Sequence, residues 1–599
     1  MNYDMLNPEQ IQAVKSNRSR ILVLAGAGTG KTATLTSRMV RLYEDGVLPK
    51  EMLALTFTKA AGQEMKERVM KQIGPGAKDI FCNTFHAFAV QIVQKYAYLV
   101  GYQPFFTIYD EEDKKSVVEG IINDYQYKQK PDDVIEAMKN MYVRRIYPQG
   151  EMRHIIDEYN FQLKRDNALD FDMLLDKLKL LLMDRNVQDY IHSTYTHVFV
   201  DEFQDSDHRQ LDILSRIDPE NLFVVGDDFQ SIYSFAGADV SIIMDIAEDP
   251  DYEVIKLERN YRSTQQIVYT ANSLIKYNNQ TEKVLKAERG GLPVTYISAN
   301  DPEREAFHIA ENIHRLLDDG KCTARDIAVL TRTNKKAEAM VEALQELAVP
   351  AELKTSVRSV LQTSDIKHIM NWMEAVVNPN NDRAVRDCLR WPKSMISRKE
   401  LMQVEKYALE QNLSLLDGLR ALEAGNRFIE VYDSIAVNDE SATLQMLDIV
   451  GTLEIIKNYM DKKLDNRIRN FNNFKEILVD WELHAEVNGE DKSPLEWIRY
   501  YKLVEIDGMT EELQPENYVQ VMTAHKAKGL EWDVVFVTGC NEKTFPLLRG
   551  DIEEERRICY VAVTRAKEKL FLTRPQTVTI WGNHTQDAEE SRFIKEMGL

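Results

Sequence analysis

The stretch "RILVLAGAGTGKT", residues 20–32, constrains this chain more than any other. A short unbroken apolar run marks a strand buried on both faces, which means a parallel sheet covered by helices. The glycines that follow let backbone amides turn toward a polyphosphate, and the helix predicted beyond them aims its N-terminus at the same anion. Ala25, Gly26, Ala27, Gly28, Thr29 and Gly30 thus form a predicted phosphate cradle, with Lys31 a point charge for the β and γ phosphates and Thr32 a hydroxyl for Mg2+. A dinucleotide fingerprint is not met, because the third glycine falls one residue early.

Similar apolar runs recur in "MLALTFT", "THVFVDEFQD", "NLFVVGDD" and "EVIKLERNYR", separated by helix-like segments. They read as strands of one open α/β sheet, whose ligands bind beyond the C-terminal strand ends. A second set, "LPVTYISA", "DIAVLTRT", "NYVQVMTAHKAKGLE" and "WDVVFVTG", begins about residue 292 and predicts a second α/β core. Two stretches have little strand character, one near residues 95–165, rich in Tyr, Asp and Lys, and one near 373–514, dominated by helical periodicity, and both read as helical insertions.

The formal charge of −21 excludes a uniformly basic surface but not a local basic groove. Five scattered cysteines without paired spacing predict reduced thiols rather than disulfides or zinc, which fits a cytoplasmic protein. The opening "MNYDMLNPEQ" has no basic region followed by an apolar stretch, and no run approaches the ~18 apolar residues of a membrane span. No membrane partner is expected.

Asp201 and Glu202 close the strand in "HVFVDEFQD". Two adjacent carboxylates at a strand end suit a cation site and a base for the attacking water, with Asp201 toward Mg2+ and Glu202 toward the water. The next strand end, "VVGDDFQSIYSFAGAD", offers Gln230 as a sensor of the γ-phosphate and Tyr233 and Phe235 as faces for stacked bases. Phosphoryl transfer also needs positive charge at the transition state, for which Arg262 in "LERNYRST" and Arg565 in "YVAVTRA" are candidates.

With these residues in order, the chain resembles the superfamily 1 DNA helicases of the UvrD/Rep/PcrA type over Leu6 to about Leu572. "LNPEQIQAV" resembles the family's adenine-reading motif, pointing to Gln10. "LALTFTKAA" and "TFHAF" resemble motifs that touch single-stranded DNA, here Phe57, Thr58, Thr84 and His86. "NYRST" supplies Tyr261 for adenine stacking and Arg262 as an arginine finger. "VQVMTAHKAKGLEW" places Thr523 and His525 at DNA and Gly529 and Glu531 near the nucleotide, and "EERRICYVAVTRA" supplies Arg565 as the second finger.

The resemblance implies an α/β fold of two RecA-like parallel-sheet P-loop NTPase domains, each with a mainly helical insertion. The first domain is expected over 1–94 and 166–265 with its insertion at 95–165, the second over 266–372 and 515–599 with its insertion at 373–514. It also implies ATP and Mg2+ as cofactors and 3′→5′ translocation on single-stranded DNA and junctions of single and duplex DNA. Departures are visible. Phe229 and Ala236 stand where relatives carry an aspartate and an arginine, so a different grip on the strand is expected. Ala33 replaces an arginine near the adenine, and "WPKSMISRKEL" replaces a glycine-rich turn associated with duplex contact. The sequence runs only a short way past the last motif, so any nuclease is expected on a separate subunit, and a separate nuclease, repair or defence subunit is an expected kind of partner. The alternatives to a helicase are a translocase motor with weak unwinding and a slowly hydrolysing DNA-binding switch; RNA ranks below DNA as substrate.

Overall fold

The computed structural model describes residues 6–103, 106–320, 322–353, 360–361, 363–411, 413–453, 464–489, 491–506, 517–580 and 584–599. The chain forms two compact units, one of Met1–Phe85, Arg185–Lys354 and Gln514–Leu599, the other of His86–Asp184 and Thr355–Leu513.

The first unit holds both predicted sheets. In one, the strands β1 (Arg20–Ala25), β2 (Met52–Thr56), β3 (Phe81–Thr84), β6 (His197–Val200), β7 (Asn221–Gly226) and β8 (Glu253–Leu257) lie in the order β3-β2-β6-β7-β1-β8, all pairs parallel. Strands β4 (Thr107–Tyr109) and β5 (Ala168–Asp170) pair with each other in the second unit. The apolar runs become fully buried strands because helices cover them: α1 (Pro8–Lys15), α2 (Lys31–Glu44) and α3 (Lys59–Ile73) close over a core containing Leu35, Met39, Met65, Phe199 and Phe223. The sequence leaves β3 unmarked, since "FCNT" is four residues long and half polar.

Strand β9 (Arg259–Asn260) leaves the first sheet and pairs with β10 (Lys286–Ala287). The second sheet contains β11 (Thr295–Ala299), β12 (Ile327–Thr331), β13 (Ala351–Leu353), β14 (Val519–Thr523), β15 (Trp532–Val537) and β16 (Ala566–Pro575), in the order β11-β16-β15-β12-β14-β13. It too is parallel. Two of its strands went unread: β13 is very short, and β16 opens with the charged "AKEK" before its apolar half. The helices Gln265–Ile275 and Ile552–Val563 pack on this sheet through Val268, Leu274, Ile558 and Val561. Phe229 and Ile232, from the turn after β7, belong to the same core.

The second unit is mainly helical around Trp372, Phe428, Phe474 and Trp497. Its two segments are wider than the insertions expected at 95–165 and 373–514. The pairing of β4 with β5 draws the helix Phe171–Leu181 into it, and the helix Ser364–Val377 contributes Trp372 to its core. The expected boundary at 514/515 lies outside the described residues. All five cysteines are free thiols, four of them buried. Among the described residues, no helix is long and apolar enough to cross a membrane.

Candidate functional site

The strand order fixes what lies beside what. Along the C-terminal edge of the first sheet, from β8 to β3, come Tyr261 and Arg262, the glycine loop after β1, Gln230 after β7, Asp201 and Glu202 after β6, Phe57 and Thr58 after β2, and Thr84 at the end of β3. Phosphate chemistry and strand contact are thus predicted on one edge, separated by strand position.

The loop needs its glycines. Gly28 and Gly30 have φ of +67° and +85°, and a Cβ on Gly28 would lie 2.7 Å from Arg262 Cβ. Asn260 Nδ2 donates to the carbonyl of Ala27 (2.7 Å), and the Tyr261 N–H donates to that of Gly28 (2.9 Å). Gln10 forms a capping box with Asn7 at the start of α1 and donates from Nε2 to the carbonyl of Thr29 (2.9 Å). Asn7 Nδ2 in turn donates to the Tyr261 hydroxyl (2.9 Å), while the Tyr261 ring stays 44% exposed, open to a stacked base. Gln10 therefore shapes the loop, and Tyr261 flanks it.

Lys31 Nζ lies 3.2 Å from both carboxylate oxygens of Glu202. Glu202 holds a left-handed backbone (φ 49°), an uncommon conformation for a residue with a side chain. Burial alone would raise the Glu202 carboxyl, yet the charges of Lys31 and Lys528 hold it down to about 2. Asp201 is pushed up to about 7 by burial and then by Glu202. The pair is thus split into a firmly ionised carboxylate, Glu202, and a carboxyl, Asp201, on which burial and the neighbouring charge of Glu202 outweigh Lys31.

Arg565 and Arg262 approach from opposite sides of the chain's order. Arg565 is 1% exposed; its Nε donates to the carbonyl of Val561 (3.0 Å), Nη1 to that of Leu530 (3.2 Å), just past Gly529, and Nη2 to Gln230 Oε1 (2.9 Å). Burial, and then the Arg262 charge, make this guanidinium a less stable cation than arginine ordinarily is. Arg262 Nε donates to Glu531 (2.6 Å) and Nη1 to the carbonyl of Thr564 (3.3 Å). Glu531 and Arg565 both precede strands of the second sheet, β15 and β16, whereas Thr523 closes β14 and His525 follows it. The second core thus brings these two groups of residues from opposite strand ends.

A row of rings crosses between the cores. Phe57 stacks on Tyr233 (5.1 Å, 20°), Tyr233 meets Phe235 edge-on (5.9 Å), and Phe235 meets His525 edge-on (5.9 Å). Phe235 is 64% exposed. His525 is lowered to about 4 by burial and the charges of Arg332 and Lys528, so at neutral pH it is a neutral ring. Thr58 and Thr84 are buried: Thr58 caps α3 by accepting from the Ala61 N–H (3.1 Å), and Thr84 closes β3. Thr523 is also buried and accepts from the Lys526 N–H (3.4 Å). His86 belongs to the other unit, where it meets Phe171 edge-on (6.2 Å).

Phe229 corrects an expectation. It is 0% exposed, edge-on to Tyr560 (5.7 Å, 90°), so its difference from relatives falls in the core joining the two sheets and not on a strand-binding surface. Ala236 is exposed beside Phe235. The residue reading missed Gln204 and Lys528. Gln204 Nε2 donates to Glu202 (2.5 Å) and its Oε1 accepts from the Asp227 N–H (2.8 Å), joining two strand ends. Lys528 pairs with Asp205, donates to the Gln230 carbonyl (2.8 Å) and lies 4.9 Å over the Tyr233 ring. Both stood inside quoted motifs, but neither amide nor lysine signals its partner without the fold.

A glycine-loop parallel core joined to a second parallel core, with an arginine of the second bonded to a strand-end glutamine of the first, defines a two-core P-loop NTPase of RecA-like type. Residues 6–251 match the UvrD/REP helicase N-terminal domain and residues 255–577 the UvrD-like helicase C-terminal domain. Similar proteins include the ATP-dependent DNA helicases PcrA of Staphylococcus aureus and Staphylococcus epidermidis, each 31% identical over 99% of this chain and 86% of the relative. The chain belongs to the UvrD-like family of ATP-dependent DNA helicases and is with it an ATP hydrolase.

Proposed function

We propose that this helicase moves 3′→5′ along single-stranded DNA and opens duplex at junctions, one hydrolysed ATP at a time. The observation that carries the reading is the bond from Arg565 to Gln230, because it ties the second core to the phosphate edge of the first. In this reading Ala25 to Gly30 cradle the phosphates, Lys31 neutralises the β and γ groups, and Tyr261 stacks on adenine beside Gln10. Glu202 takes the proton of the attacking water, Gln230 orients that water, and Arg262 and Arg565 stabilise the charge of the transition state. Gly529 lets the chain turn toward the nucleotide, and Glu531 holds Arg262 until ATP draws it away.

Mg2+ suits the residues present. Among the described residues no group of three histidine, cysteine or acidic side chains could hold a metal. Thr32 and Asp201 offer a hydroxyl and a carboxylate, the sparse oxygen set typical of an ion that keeps phosphates and waters as its other ligands. Bound there, the ion would supply charge neutralisation of the phosphates; Thr32 and Asp201 would hold it.

Phe57, Tyr233, Phe235 and His525 offer stacking faces for successive bases, with Thr58, Thr84, Thr523 and His86 as further DNA contacts. Stacking does not distinguish sugars, and DNA is favoured over RNA by family. A cytoplasmic location fits five free thiols. A second reading, a motor subunit beside a separate nuclease, repair or defence protein, is favoured by Trp391. That residue replaces part of the turn linked to duplex contact, and it stacks on His368 (4.8 Å, 16°) instead of standing free.

The test is ATP turnover with single-stranded DNA, followed by unwinding of 3′-tailed, 5′-tailed and blunt duplexes. Wild type is expected to turn over ATP and to open only the 3′-tailed duplex, while Lys31→Ala does neither. Turnover by Lys31→Ala equal to wild type, or unwinding from the 5′ tail, counts against the reading. Strong ATP turnover with almost no unwinding favours the motor subunit.

A further inference from the structure

Lys283 lies in the segment that connects the two cores, outside every motif of the family resemblance, and its side chain has no exposed surface. Its ammonium pairs with Asp227 Oδ1 (2.6 Å) and with Asp228, and sits 3.9 Å over the Phe229 ring. Thr281 adds two donors to Asp228, its N–H (2.7 Å) and its hydroxyl (2.9 Å). The other Asp227 oxygen accepts from Gln230 Nε2 (2.5 Å), and Gln230 Oε1 then accepts from Arg565 (2.9 Å). A single line of contacts runs from the connecting segment to the arginine.

We propose that Lys283 is a positioning residue for ATP hydrolysis, fixing the Asp227 carboxylate so that Gln230, and through it Arg565, is held in one orientation. The inference rests on the reading of Gln230 and Arg565 as groups at the γ-phosphate. An amide has a donor end and an acceptor end. With its NH2 fixed on Asp227, the Gln230 oxygen must face away, toward Arg565. Two adjacent buried carboxylates repel, and an ammonium between them offsets that repulsion. Lys283 is that cation, and its removal frees the carboxylate and the amide to turn. Phe229 has a place in this device: an aromatic face under the ammonium stabilises the charge without competing for it, so Lys283 is committed to Asp227 and Asp228.

A double-mutant cycle tests this, with DNA-stimulated ATPase kinetics of Lys283→Met, Gln230→Ala and the pair, each scaled to folded protein. Lys283→Met is expected to lower kcat by at least about tenfold while KM for ATP changes by less than about threefold, and to lower it by less than about twofold in the Gln230→Ala background. A Lys283→Met enzyme with wild-type kcat, or an equal fold loss in both backgrounds, overturns the proposal. Gln230→Ala with undiminished kcat refutes the assignment of Gln230 itself, a separate failure. Should Lys283→Met not fold, Asp228→Asn with Lys283→Met restores charge balance. Against Asp228→Asn alone, the same two comparisons then decide.

Discussion

Gln204 has no exposed surface and spends its amide on two strand ends, donating to Glu202 and accepting from the Asp227 N–H. Gln204→Ala leaves the buried Asp227 N–H without its acceptor and takes from Glu202 one donor while Lys31 remains, an expected loss of about 1–3 kcal/mol in denaturant unfolding, with a fall in kcat as Glu202 loses part of its orientation. Ala236 is the opposite case, exposed beside the exposed Phe235. Ala236→Arg adds one cation at the stacking row and is expected to tighten single-strand binding several-fold, steepening the salt dependence of log K by about one unit or less. Titration by fluorescence anisotropy at several salt concentrations checks both; unchanged affinity argues that the row is not the strand path. Side chains whose chemistry is intrinsic, such as Lys31, Glu202 and Arg565, could be singled out in sequence, and the fold sets Lys31 on Glu202 and Arg565 on Gln230. Those whose role depends on a distant partner could not be: Lys528 is a surface lysine until the fold places Asp205, the Gln230 carbonyl and the Tyr233 ring around it.

Strands bounded by apolar runs could be read, and strands made from charged or very short segments could not, because burial rather than residue type decides β13 and β16. The helical unit hides a different device. Lys502 and Arg383 meet Asp110, Asp113 and Glu374 in a buried cluster, with Tyr109 beside Arg383, joining the 86–184 segment to the 355–513 segment. Nothing in the sequence pairs residues so far apart. Burial, then repulsion by Asp110 and Glu374, outweighs the two cations at Asp113 and pushes its carboxyl up to about 6 from 3.8, whereas Lys502 and Arg383 overcome burial at Asp110 and hold it low. The folded state therefore favours a proton on Asp113 that the unfolded chain releases. That contribution is full below pH 3.8 and fades as pH rises through 6. Asp113→Asn has no such proton to lose. The difference in Tm, variant minus wild type, is expected to rise between pH 4 and pH 7, and a flat difference by calorimetry would refute the assignment.

At the scale of the whole molecule, the formal charge of −21 gives the protein a field that repels DNA, so binding rests on local contacts, which the proposed function assigns to the ring row and the few cations near it. Rings that stack bases without reading them let a strand slide through, provided the two ends of the row do not move together. Phe57 belongs to the first core and His525 to the second, with Tyr233 and Phe235 between them on the turn that also carries Gln230. In the proposed mechanism, closing the cores on ATP would shorten the row and opening them after hydrolysis would lengthen it, and alternating grip at its two ends would pass bases one way. Directional movement then requires no unwinding, which separates the two functional readings. Oligonucleotides carrying streptavidin on a 5′ or a 3′ biotin isolate the movement: a 3′→5′ translocase clears the 5′ block much faster than the 3′ block, at a rate that follows ATP turnover. Equal clearance of both blocks would leave an ATPase without direction and remove the basis for assigning polarity to this chain.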